Sequence, residues 1–524
     1  MSYTSYTYLL IFLGAVFICY TALPKKFKWT VLLISSYIFY WINSKRLIVF
    51  LLISTVAVYF AGIFLNRIND TAALAKKGLE KEEKKRVKAL VNWQKRAVVA
   101  LAVGFIFTIL LVLKYSAFFA HSLNSAFGFL HLKELKFMLP LGISYYTLQA
   151  AGYIIDVYRG KYRASENFGK VALFLSFFPQ IVEGPIGRFD LLADPLYEGH
   201  SFDYDRLCKG VQLILWGLFK KTVIADRVNI FVSEVFGSFE YYSGSIILLG
   251  GLLYTLQIYA EFSGCMDIVT GSAEIFGVPL SKNFERPFFS KSVNEFWRRW
   301  HITLGAWLRD YVFYSVSLSR PFMKLSKFAK KHFNEFLGSL VPASFALFFT
   351  WLGIGFWHGA GWKYIAYGLY YYAIMTAGMY LEPLFAKLFS AMKIKRDSKP
   401  LNIFRVARTV ILVVGGMTLF RADTVGVWVG MLKCVFTSFG AGGFLKTALT
   451  LGMDKQDFLI VAVGAAVMLI ISILQEKGIN VRDSLSKQRL PVRWCAYAAL
   501  VMAVVIFGAY GPGYDAVDFI YGQF

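Results

Sequence analysis

Charge is scarce in this chain, and its few cysteines are scattered. Only 17% of the 524 residues are Asp, Glu, Lys or Arg, where a soluble protein carries about 25%. Set beside 57% hydrophobic residues, that shortfall excludes an ordinary soluble globular fold. The five cysteines (Cys19, Cys208, Cys265, Cys434 and Cys495) form no Cys-x-x-Cys pair and are odd in number. Neither a disulfide framework nor a zinc site is expected, and no metal ligand set is assigned. The N-terminus lacks a basic leader and a small-residue cleavage site, so residues 3–23 read as a retained first span. There is also no internal repeat, which argues against the inverted-repeat plan of many transporters.

What the chain does have is apolar runs, at about 3–23, 29–42, 47–66, 97–119, 137–157, 209–232, 245–275, 341–358, 362–385, 404–420, 457–474 and 494–510. Runs near 20 residues match a helix crossing the bilayer, whereas barrel strands would alternate over about ten. Backbone groups in lipid must bond internally, which helices achieve. The expected fold is an all-α polytopic membrane protein of 11–12 transmembrane helices. Segments 171–189 and 284–316 are interrupted by Pro179, Pro185, Pro287 and arginines, and read as re-entrant or interfacial helices. The sequence reads as a single membrane domain, 1–524: N-terminal helices to 136, a core over 137–385, and C-terminal helices over 386–524.

Net charge is +24. On a membrane protein this signals positive-inside bias and anionic headgroups, not nucleic acid. Basic stretches at 25–28, 67–96, 158–163, 320–331, 387–408 and 477–493 fit one side, the inside, which places the N-terminus outside. The 67–96 loop, with Glu80 and Lys84 four apart, reads as a solvated or membrane-surface helix.

Two histidines stand out. His301 ends the segment Glu295-Phe296-Trp297-Arg298-Arg299-Trp300-His301, and His358 lies in Trp357-His358-Gly359-Ala360-Gly361-Trp362. The run from Phe345 to Trp357 carries no charge, and an ionisable group at membrane depth is costly enough to imply function. If 293–314 is one helix, Trp297, His301, Leu304 and Leu308 share a face. Arg298, Arg299 and Arg309 suit either headgroup anchoring or phosphate binding. Asp310 and Asp267 are acids that could orient a histidine, while Glu295 suits pairing with Arg298 or Arg299. His121, His131, His200 and His332 read as surface residues. Tyr370, Tyr371 and Tyr372 read as helix packing.

The chain resembles the membrane-bound O-acyltransferase (MBOAT) family, in its bacterial branch of alginate O-acetyltransferase membrane subunits and teichoic-acid D-alanyl transferases. The resemblance runs in order from Leu139-Pro140-Leu141-Gly142 through Phe178-Pro179-Gln180-Ile181-Val182-Glu183-Gly184-Pro185, Gly217-Leu218-Phe219-Lys220-Lys221, and Phe262-Ser263-Gly264-Cys265-Met266-Asp267. It continues through Glu295–Tyr311 and Trp357–Trp362 to the terminal Phe519-Ile520-Tyr521-Gly522-Gln523-Phe524. It departs after Tyr311, where the alginate type has a Gly- and Asn-rich loop. The resemblance implies a ring of helices around a central tunnel, walled here by Trp297, Trp300 and Trp357. His358 and His301 would be catalytic, and Arg298, Arg299 and Arg309 would bind the donor. No bound cofactor is implied; acyl-CoA or a phosphopantetheine acyl carrier would be co-substrate. The implied reaction moves an acyl group, acetyl in the leading reading, from a cytoplasmic thioester to hydroxyls of a cell-surface polysaccharide or its export intermediate. The alternatives are D-alanyl transfer towards teichoic acid and, in another class, a flippase of lipid-linked sugars. Implied partners are the bilayer of a bacterial cell membrane, an acyl-carrier protein and an extracytoplasmic transfer partner.

Overall fold

The computed structural model describes residues 1–75 and 79–510, so Lys76, Lys77 and the terminal motif Phe519–Phe524 lie outside the described residues. Among those residues the secondary structure is helical without strands, apart from one isolated bridge between Phe284 and Trp300. Each expected apolar run overlaps a helix. Among the described residues, seven helical stretches are long and apolar enough to cross a bilayer: Lys25–Ala75, Lys81–Ala126, Gly244–Ile275, Glu335–His358, Lys399–Arg421, Lys455–Glu476 and Leu490–Phe507. The run 137–157 begins later than expected, because the chain passes Pro140 and a left-handed Gly142 before helix Ile143–Arg159 starts. A Cβ on Gly142 would overlap the carbonyl of Ile181 at 1.9 Å, so only glycine fits that turn. The protein is a multi-pass membrane protein.

The chain divides into two compact units, residues 1–211 with 269–281, and residues 212–268 with 282 onward. In the first unit, helix Ile143–Arg159 has all but a few of its residues buried. Asp156, at its C-terminal turn, is buried beside Lys161 at 3.6 Å and Arg188 at 3.8 Å. Segment 171–189 is helical to Ser176, the end of helix Phe168–Ser176, and again only at Phe189; from Phe177 to Arg188 the chain runs as turns and irregular backbone. Among the side chains buried there are Gln180 and Glu183.

The second unit holds both histidines. Helices Tyr204–Leu218 and Gly244–Ile275 pass there in backbone contact: a Cβ on Gly217 would lie 2.4 Å from the Gly264 carbonyl, and one on Gly264 2.8 Å from that of Gly217. The first helix continues as a π-helical turn, Phe219–Ala225. There Lys220 and Lys221 are buried and reach opposed acids. Lys220 Nζ lies 2.6 Å from Asp267 and donates to Ser263 Oγ at 2.8 Å. Lys221 Nζ lies 2.7 Å from Asp226 and 3.2 Å from Glu261. Elsewhere in this unit Arg227 pairs with Asp457 and donates to the Phe507 carbonyl at 2.7 Å. The outer helices are apolar and bare: none of the hydrophobic window of Leu490–Phe507 is buried within the protein, which leaves it to face lipid.

Removing one partner of a buried ion pair strands the other charge, at a cost of about 3–5 kcal/mol. Lys221→Met should therefore lower the thermal unfolding midpoint of detergent-purified protein sharply, while Lys81→Met on the exposed helix leaves it unchanged. Equal midpoints for the two would remove the lysine pair from the stability of the unit.

Candidate active site

The segment expected as one helix over 293–314 is broken. Helix Val293–Arg299 begins at Ser292, whose hydroxyl accepts from the Glu295 amide at 3.1 Å. It stops at Trp300, and His301 follows in the left-handed region at φ 47°. Helix Ile302–Leu308 resumes, followed by a π turn, Arg309–Phe313. The cause is a second chain segment that takes the backbone groups a helix would use. The Glu285 amide donates to the Arg299 carbonyl at 2.9 Å, and the Ile302 amide donates to the Asn283 carbonyl at 3.0 Å. The common face of Trp297, His301, Leu304 and Leu308 is lost at that turn. A left-handed conformation costs a non-glycine residue about 1–2 kcal/mol and persists where its surroundings over-determine it, commonly at functional sites.

His301 is buried, with Nδ1 3.3 Å from Asn283 Oδ1. Asn283 Oδ1 also accepts from the Thr303 amide at 3.1 Å and the Thr303 hydroxyl at 2.8 Å, and its Nδ2 donates to Met266 Sδ at 3.2 Å. Phe262 meets the imidazole edge-on at 4.9 Å between centroids. Burial among aromatic rings disfavours the charged imidazolium and favours the neutral ring.

His358 is the last residue of helix Glu335–His358 and is also buried. Around its ring stand Trp357 at 5.0 Å, Phe420 at 5.1 Å and Tyr367 at 5.6 Å. Trp357 also contacts the His301 ring, at 5.4 Å. The two histidines, 57 positions apart in sequence, thus share one tryptophan neighbour. Small residues make this possible. A Cβ on Gly355 would lie 2.5 Å from the Tyr364 carbonyl, and one on Gly359 2.3 Å from the Tyr364 ring.

The other expected residues separate into groups. Trp297 packs against Trp351 at 5.0 Å and Tyr371 at 4.8 Å, and Trp300 is fully buried against Phe284, Phe296 and Tyr259. Both wall the region with aromatic surface. Arg299 bridges Glu295 at 2.8 Å and Glu476 at 3.2 Å, Glu476 being shared with Arg286. That is the helix pairing expected of Glu295. Arg298 and Arg309 are exposed, and Arg309 pairs with Asp310 at 3.2 Å. Asp267 is engaged by Lys220. The group that meets His301 Nδ1 is therefore an amide, Asn283, and not either acid. His121, His131 and His332 are exposed, and His200 bonds the Pro195 carbonyl at 2.9 Å. Tyr370 and Tyr371 donate to the carbonyls of Leu412 and Val413, and Tyr372 packs on Phe348, as helix-packing residues do. Sequence reading passed over Asn283, Phe262, Tyr367 and Phe420, which lie 9 to 62 positions from the histidine they touch.

Two buried, aromatic-walled histidines in a helical multi-pass protein make this the candidate active site. Its family follows from comparison. Residues 164–419 match the MBOAT, membrane-bound O-acyltransferase family. The "probable alginate O-acetylase" of Pseudomonas aeruginosa is 32% identical over 444 residues, 84% of this chain and 75% of that protein. The peptidoglycan O-acetyltransferase of Helicobacter pylori is 32% identical over 49% of this chain and 50% of its own. The teichoic acid D-alanyltransferase of Bacillus subtilis is 29% identical over 46% and 59%. The chain belongs to the membrane-bound O-acyltransferase family and is an O-acyltransferase.

His301→Gly and His301→Ala remove the same imidazole but differ in tolerance of positive φ. The glycine variant should be the more stable by about 1 kcal/mol, read as a higher unfolding midpoint. Equal midpoints would show that residue 301 is not held in the left-handed region.

Proposed function

We propose that this enzyme moves an acyl group, acetyl in the leading reading, from a cytoplasmic thioester to hydroxyls of a cell-surface polysaccharide or its export intermediate. The observation that carries the reading is the shared burial of His301 and His358 around Trp357, together with the extent of the match to alginate O-acetylases. In this reading His358 is the general base. It takes the proton of the attacking hydroxyl as oxygen bonds to the thioester carbonyl carbon, a step typically worth about 10²–10⁴ in rate. Collapse of the tetrahedral adduct breaks the carbon–sulfur bond, and the thiolate leaves with that proton. The products are one ester and one thiol. The aromatic walls keep water from the thioester, and a tunnel past Trp297, Trp300 and Trp357 would bring donor and acceptor together.

Arg298 and Arg309, both exposed, are proposed to meet phosphates of coenzyme A or of a carrier's phosphopantetheine. Arg299 is committed to carboxylates and would hold the site helix in place. The positive-inside pattern supports a bacterial cell membrane with the N-terminus outside. An outer-surface protein would complete transfer to the polymer. D-alanyl transfer from a carrier protein is the second reading, favoured by the D-alanyltransferase relative.

The test is thiol release from acetyl-CoA and other acyl thioesters by purified wild-type and His358→Ala protein, with and without glycan acceptors. Histidine-dependent release that rises with acceptor, falling about 10²–10⁴-fold in the variant, is expected. Release only from carrier-loaded D-alanine would move the substrate to the second reading. Acyl transfer unchanged in folded His358→Ala would overturn the role of that residue.

A further inference from the structure

Asn283 has one partner whose chemistry is not negotiable. The Thr303 backbone amide can only donate, so the Asn283 atom 3.1 Å from it must be the carbonyl oxygen. That leaves the Asn283 NH2 directed at Met266 Sδ, a weak acceptor, at 3.2 Å. His301 Nδ1 lies 3.3 Å from the same oxygen. An oxygen with no hydrogen to give can bond to Nδ1 only if Nδ1 carries the proton. The neutral ring then has its lone pair on Nε2.

We propose that Asn283 is a positioning residue that fixes the His301 tautomer, making Nε2 a hydrogen-bond acceptor in the acyl-transfer site. This rests on the acyltransferase reading above and sharpens it. A neutral His301 of this tautomer cannot donate from Nε2, so it does not supply the oxyanion contact. It accepts from a hydroxyl of the acceptor and orients the sugar, leaving a neighbouring hydroxyl to His358. The constraint extends to the backbone, because Asn283 O also accepts from the Ile302 amide. One residue thus holds the main chain on the far side of His301 and its ring together.

On the elements that meet at His301, the crossing segment carries Glu285 and Arg286, which pair with each other, and helix Val293–Arg299 carries Arg298, which is exposed, and the paired Glu295 and Arg299. Phe262 and Trp357 pack on the ring, and Trp357 also contacts His358. The helix bearing Phe262 also carries Glu261 and Asp267, each paired with a lysine. A carboxylate placed at 283 would therefore be a new charge beside this imidazole.

The test compares Asn283→Asp and Asn283→Leu for acyl transfer against pH, with wild type and His358→Ala alongside. Both substitutions keep approximate size. Asn283→Leu should lose about 10–100-fold in kcat, the range seen when the partner that orients a metal-bound imidazole is removed. Asn283→Asp keeps the acceptor oxygen and should recover most of that loss. Its carboxylate favours the imidazolium, so the His301 pKa rises and activity, which needs the neutral ring, is lost at higher pH than in wild type. The acidic limb of the pH–rate profile should move up. An active Asn283→Asp enzyme with the wild-type profile, or an Asn283→Leu enzyme with wild-type kcat, would overturn the assignment. If wild type itself shows no His358-dependent transfer, the acyltransferase roles fall first. Intact Asn283 coupling is then read from nitrogen shifts of labelled His301, where proton on Nε2 instead of Nδ1 refutes the tautomer.

Discussion

The site depends on a short backbone crossing. Two amide-to-carbonyl bonds, from Glu285 to Arg299 and from Ile302 to Asn283, stop a helix one residue before His301 and force that residue into positive φ. In an apolar setting an interrupted helix leaves polar backbone groups that cost several kcal/mol if unmet. The crossing segment meets them. It thereby converts an apolar helical stretch into a place where an imidazole can be aimed by the main chain rather than by a rotamer alone.

A second constraint is aromatic. Trp357 contacts both histidine rings, Phe262 packs on His301, and Tyr367 and Phe420 pack on His358. Large rigid rings give a site of fixed shape at little conformational-entropy cost, and they help to exclude water from it. They can close in only because Gly355 and Gly359 leave the space that Tyr364 fills. Aromatic bulk and glycine are two halves of one arrangement.

Much of this was legible in the sequence. The spacing and length of apolar runs gave the helices, since membrane helices are read from composition alone. The two histidines declared themselves through the cost of polar groups in apolar sequence. The break at His301 was not legible, because Trp297–Leu308 carries no proline and no glycine before Gly305, and its periodicity suits a helix. The break is imposed by residues 283–285, a tertiary effect that outranks local propensity. Asn283 was missed for the same reason: a buried amide has no pattern until its partners are known. The arginines illustrate the converse. Arg299 looked equivalent to Arg298 in sequence, yet only Arg299 finds Glu476, 177 positions away.

The adjacent lysines of the π-helical turn carry an evolutionary consequence. Lys220 serves Asp267 and Ser263, while its neighbour Lys221 serves Asp226 and Glu261. Both follow the Gly217 contact with Gly264 closely, Lys220 three residues and Lys221 four residues later. Inserting or deleting one residue between Gly217 and Asp226 would exchange or strand both charges at once. Such a stretch can drift by substitution but not by changes of length, so it acts as a ruler against which insertions elsewhere in a lineage can be placed.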